Sequence, residues 1–119
     1  MSDTCKNWTQ WLSQTRFASL SEAQREQTLN WLQVVGDIII NNARIKQGET
    51  VIDIGTGTGL LAFKALEVLN GTGCVIFSDK FQDCLDSCQK FINSANIQGN
   101  YRMLQSPADK IDLPDESVD

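Results

Sequence analysis

The sequence predicts an α/β fold in which parallel strands alternate with helices behind two amino-terminal helices. Three stretches carry that prediction. Val51 to Leu60, VIDIGTGTGL, runs from β-prone residues through Asp53 into Gly55, Gly57 and Gly59, and then into a strongly apolar helical pattern. Cys74 to Ser78, CVIFS, is a continuous β-type run ending at Asp79, as expected of a parallel strand covered on both faces. Phe81, Leu85, Cys88 and Ile92 recur at helical intervals. The order strand, helix, strand, helix, strand is a doubly wound start with right-handed crossovers.

The elements follow in order. Trp8, Trp11, Leu12 and Thr15 fall at helical spacing within Thr4 to Thr15, giving a short amphipathic helix with a bulky aromatic edge. Ser21 and Gln24 form an S-x-x-Q capping box, with Leu20 placed to staple the entry, so a longer helix begins at Ser21. Leu29, Leu32, Gly36, Ile39 or Ile40, and Ala43 mark its inner face to about Asn42, and Gly36 permits close approach of a neighbour. The turn Lys46 to Glu49 delivers the chain to the first strand. Leu60, Leu61, Ala65, Leu66, Val68 and Leu69 predict a helix buried over much of its circumference, stopped by Asn70-Gly71-Thr72-Gly73. Tyr101 to Leu104 reads as a third strand, and Ser117 to Asp119 as the approach to another.

Bulk properties narrow the function. A chain of 119 residues, 41% apolar and 21% charged, suits one small globular unit. The formal charge of −5 offers no basic face for a phosphate backbone, which disfavours nucleic acid as partner. No apolar run approaches the roughly 20 residues that span a bilayer, and Met1 to Phe17 lacks a signal-peptide pattern, so a cytoplasmic location is expected. Cys5, Cys74, Cys84 and Cys88 form no CxxC pair, and there is no histidine; reduced, packing cysteines and no metal site are expected. The sequons at Asn7 and Asn70 carry no weight without secretion.

The glycine loop carries the chemistry. Glycine tolerates positive φ and leaves no Cβ in a ligand's way, while the next helix offers unpaired amides and a favourable dipole to an anionic group. Dinucleotides and S-adenosylmethionine are both held in such loops. The dinucleotide pattern G-x-G-x-x-G needs glycine where Leu60 stands.

With D-x-G-x-G-x-G after the first strand, VIFSD as the second motif and PADKIDLPDESVD approaching a fourth strand, Ile45 to Asp119 resembles the class I S-adenosylmethionine-dependent methyltransferases. The run NNARIKQGE before the first strand is also similar to theirs. The resemblance implies a Rossmann-like three-layer methyltransferase fold, truncated here to about the first three parallel strands. Residues 1–44 would be a helical cap, and residues 45–119 the cofactor-binding part. In the family's seven-stranded order this chain supplies strands 3, 2 and 1, leaving strand one with an open edge suited to self-association.

The resemblance also assigns roles. Asp53 would meet the methionine ammonium by a charge-assisted bond. Gly55, Thr56, Gly57, Thr58 and Gly59 would line the methionine moiety, and Asp79 would accept the ribose hydroxyls. Asp79→Ala should then abolish cofactor binding with little loss of fold. Lys80 stands where the family often has an apolar residue, leaving Phe81 to pack on the base. Ser106, Pro107 and Ala108 replace the common G-D-A run, so adenine recognition falls to the Ala108 amide or to Asp109. The catalytic base, if one is needed, and the methyl acceptor are not identifiable. Trp8, Trp11, Arg16 and Phe17 lie in helices placed to cover the cofactor. A noncatalytic nucleoside-binding module is the alternative, and a nicotinamide-dependent oxidoreductase is disfavoured by Leu60.

Overall fold

The computed structural model describes residues 8–119. Helix α1 (Trp8–Ser13) and a 3-10 turn (Thr15–Phe17) precede α2 (Glu22–Ala43). There follow β1 (Thr50–Ile54), α3 (Leu60–Leu69), β2 (Cys74–Asp79), α4 (Gln82–Ala95) and β3 (Tyr101–Gln105). The start of the helix expected from Thr4, together with Cys5 and the Asn7 sequon, lies outside the described residues.

The strands are parallel in the order β1-β2-β3. Register sets Thr50 against Cys74 and Val75 against Tyr101, so Asp53 lies beside Phe77, and Phe77 beside Met103. Side chains alternate across a sheet. Val51, Val75, Phe77, Tyr101 and Met103 therefore share one face, and they pack against Ala62, Ala65, Leu66 and Leu69 of α3 and Leu85, Cys88 and Ile92 of α4. Phe77 sits at the centre of this layer, edge-on to Phe63 at 5.1 Å and to Tyr101 at 6.0 Å. Burying a side chain of that size contributes about 1.5–3 kcal/mol. Ile76 and Ser78, directed to the opposite face, are buried as well.

Local chemistry sets the helix ends. The Ser21 hydroxyl accepts the Gln24 N–H at 3.2 Å, and the Gln24 side chain accepts the Ser21 N–H at 2.9 Å, which completes the expected capping box. Arg44, Asn70 and Asn96 close α2, α3 and α4 in the left-handed region. Asparagine tolerates that region better than most residues.

Several expectations need correction. On α2 it is Ile40, not Ile39, that reaches the core, and Leu29 and Ile39 are exposed beside Trp31, Val34 and Ile38. Gly36 is closely approached, as expected: a Cβ there would fall 2.7 Å from Lys64 Cε. Val68 is exposed on α3. Phe81 is not helical; it is the extended N-cap residue of α4, because the apolar four-residue period runs one step past the helix start. Ser117 to Asp119 forms no strand. Asp119 alone bonds β1, its N–H to the Thr50 carbonyl at 2.8 Å and its Oδ2 to the Thr50 N–H at 2.9 Å. The preceding residue, Glu49, turns its carbonyl to Cys74 of β2, so the bonds of Thr50 lie on the open edge of the sheet.

Candidate functional site

The site is built at the carboxyl ends of β1 and β2, where the glycine loop leaves the sheet. Thr56 N–H reaches the Ser78 carbonyl at 2.9 Å, and Gly59 N–H returns to the Thr56 carbonyl at 2.8 Å, so the loop is folded back onto the end of β2. Gly59 caps α3 at φ 88°, with the Phe63 ring and Cys88 Sγ filling the space a Cβ would need. Gly55 is different. Its φ is 71°, yet nothing lies within 4 Å of where its Cβ would stand, and the residue is exposed. One end of the loop is thus shaped by the protein, and the other faces free space.

Two carboxylates frame the loop. Asp53 Oδ2 accepts the Thr56 hydroxyl at 2.8 Å. Burial raises the Asp53 carboxyl above its usual range, the bonds from the Thr56 hydroxyl and the Ala62 amide oppose the shift, and nearby Asp79 adds to it. A positive group brought to Asp53 would relieve that cost. Asp79, at 5% exposure, accepts the Gly57 N–H on Oδ2 at 2.9 Å and the Phe81 N–H on Oδ1 at 3.0 Å. Each oxygen keeps a lone pair for a further donor. Asp79 therefore also ties the loop to β2, and the expectation that its removal spares the fold is revised.

Beneath the loop lies α4. The buried Cys88 thiol donates to the Gly57 carbonyl at 3.5 Å, so the two ends of the Gly57 residue are held by Asp79 and Cys88. Burial pushes the Cys84 and Cys88 thiols up, to about 11 and about 12. Cys74, Cys84 and Cys88 are all unpaired.

The structure brings Asp53, Gly55, Thr56, Gly57, Gly59, Asp79 and Phe81 to one place. Lys80 points outward, its Nζ 5.9 Å from the Phe81 ring centre. Gln105 Nε2 donates to the Lys80 carbonyl at 3.2 Å and joins the ends of β2 and β3. Ala108 and Asp109 are exposed in the loop after β3. The buried Ser106 orders that loop: its hydroxyl donates to the Lys110 carbonyl at 2.8 Å and accepts the Asp112 N–H at 3.1 Å. Cys88, Gln105 and the ordering role of Ser106 were not read from the sequence, since each acts on backbone groups, 31 residues away for Cys88 and 25 for Gln105, and Ser106 on those of its own loop.

A groove of about 810 Å³, lined among others by Leu60, Phe63, Leu66, Phe91 and Ile97, lies between α3 and α4 and includes Thr58 at its rim. It includes neither Asp53 nor Asp79, so the groove and the polar site are distinct. No helix among the described residues is long and apolar enough to cross a membrane.

The chain is similar to known proteins in sequence and in fold. Ubiquinone/menaquinone biosynthesis C-methyltransferase UbiE of Citrobacter koseri is 29% identical over 80 residues, which are 67% of this chain and 32% of that protein. The UbiE of Escherichia coli K12 is 28% identical over the same shares. The chain thus spans about a third of the length of these curated relatives. Among solved structures, a SAM-dependent methyltransferase from Aquifex aeolicus superposes with TM-score 0.62 at 27% identity, covering 71% of this chain and 44% of its own. A Methanococcus maripaludis protein at 23% identity shares the fold over 98% of this chain and 47% of its own, with TM-score 0.65. A sequence profile of the ubiE/COQ5 methyltransferase family matches residues 27–119, and the chain belongs to that family.

Proposed function

We propose that this chain is the S-adenosyl-L-methionine-binding part of a methyltransferase, with residues 45–119 forming the cofactor platform and residues 1–44 a helical cap. The observation that carries this reading is the pairing of Asp53 and Asp79 at neighbouring strand ends around a loop whose Gly55 faces open space. The residues fit the cofactor. Asp53, half-buried and with its carboxyl raised, suits an ammonium; Asp79 keeps lone pairs for two hydroxyls; Gly55 leaves room for a ligand backbone.

When bound, the sulfonium supplies an electrophilic methyl group. The protein's part is to orient the donor and exclude water. Thr56 fixes the Asp53 carboxylate, Asp79 and Cys88 hold the Gly57 peptide groups, and Phe81 lies next to the ribose acid, where it packs on the base. The Ala108 amide and Asp109, on the loop ordered by Ser106, meet the adenine edge. Lys80 lies at the rim.

The whole protein transfers that methyl group to an acceptor, in the cytoplasm. The experiment is transfer of labelled methyl from S-adenosylmethionine to a metabolite extract by the full-length polypeptide. Labelled product supports the enzyme, and cofactor binding without transfer leaves a noncatalytic binding module. We also propose that the open edge of β1, next to the exposed Ile54, pairs with a second copy. A monodisperse monomer by sedimentation would exclude it.

A further inference from the structure

We propose that α1 is a lid over the glycine loop and that Thr9 and Asp83 form its latch. The proposal rests on the cofactor reading above and adds how the cofactor enters. Leu12 of α1 lies against the loop: a Cβ built on Gly57 would fall 3.2 Å from Leu12 Cδ1. Thr56, Gly57 and Asp79 are buried, while Gly55 is exposed. A nucleoside whose hydroxyls bond Asp79 has to reach a carboxylate that is 5% exposed. The cover has to move first.

The latch is local and weakly satisfied. Asp83 Oδ2, in the first turn of α4, accepts both the Thr9 N–H at 3.0 Å and the Thr9 hydroxyl at 2.9 Å. The amides that open a helix have no partner within it, so a carboxylate brought from α4 caps α1 from outside. Asp83 Oδ1 is buried and makes no hydrogen bond among the described residues. Closure therefore buries one carboxylate oxygen that has no donor among the described residues, a cost that opening removes. Phe17, buried in the turn that follows α1, is the anchor about which the helix swings. Such a helix opens without unfolding the sheet, as low-stability segments of a fold do.

The test is stopped-flow binding of S-adenosylhomocysteine to the wild-type protein, Thr9→Val and Asp83→Ala, with amide hydrogen exchange of residues 9–13 and of β2. Loss of the latch raises the open population, so in Asp83→Ala the association and dissociation rates both rise, by about fivefold. Thr9→Val moves both in the same direction by less, and it carries the test if Asp83→Ala fails to fold. Residues 9–13 exchange faster than β2 in the wild type and faster still in the variants. An association rate unchanged in both variants overturns the lid, even if affinity falls. So does exchange of residues 9–13 only at the rate of β2. Absence of S-adenosylhomocysteine binding to the wild type would strike the cofactor reading instead, and the exchange comparison would still decide the lid.

Discussion

The Asp79 carboxylate, at the last residue of β2, accepts the Gly57 N–H at 2.9 Å across 22 residues of chain. The acid assigned to the ribose therefore also sets the shape of the loop beside it. Asp79→Ala removes that acceptor from the buried Gly57 amide and from the half-buried Phe81 amide. The expected result is loss of S-adenosylhomocysteine binding together with a destabilisation of about 1–3 kcal/mol, read by calorimetry and urea unfolding. Normal stability with lost binding would show the tether to be unimportant.

Gly55 and Gly73 separate ligand space from protein space. A Cβ on Gly55 meets nothing within 4 Å, whereas one on Gly73 would lie 2.1 Å from the Glu49 carbonyl oxygen at the entry to β1. Gly55→Ala pays only the strain of positive φ, about 1–2 kcal/mol, but places a methyl in the open space proposed for the cofactor, and affinity is expected to fall by tenfold or more. Gly73→Ala forces the β1–β2 entry apart and lowers stability by more than Gly55→Ala does. Thermal unfolding of the two variants beside their binding isotherms makes the comparison.

Asp53 gives a pH signature. Its carboxyl is raised in the folded chain, so the folded state holds the proton more tightly than the unfolded state. The stability this contributes is complete below the unfolded value of 3.8 and is lost as pH rises through the folded value. Asp53→Asn should therefore stabilise the protein at pH 7, with the gain shrinking as pH falls toward 4. The same variant should weaken S-adenosylhomocysteine binding at pH 7. Urea unfolding across this pH range checks the first part, and calorimetry checks the second.

The buried thiols predict alkaline lability. Cys84 and Cys88 ionise near 11 and 12 when folded, against 9.0 as the ordinary thiol value. Between those values the unfolded chain loses its thiol protons first, and stability falls as pH rises above about 9. Replacing both by alanine should flatten that decline between pH 9 and 11, measured by denaturant titration. In the native protein at pH 8, iodoacetamide should spare both thiols until the chain is unfolded.

The frame was legible because its signals are short-range. The Ser21–Gln24 box, the helical period of Leu85, Cys88 and Ile92, and the continuous run Cys74 to Ser78 each act within a few residues, and the structure follows them. The ends were less legible. Phe81 continued an apolar period that the backbone does not, and Ile39 and Ile40 were equivalent by pattern until packing on α3 chose Ile40. Least legible were the contacts that position the site. Asp79 with Gly57, Cys88 with Gly57, and Asp83 with Thr9 join residues 22, 31 and 74 apart, and each uses a backbone group that every sequence possesses.

The most direct measurement is titration calorimetry of the protein with S-adenosylhomocysteine and, separately, with NAD. The site framed by Asp53, Gly55 and Asp79 predicts one equivalent of S-adenosylhomocysteine bound and no NAD. Binding of NAD alone, or of neither, would contradict it.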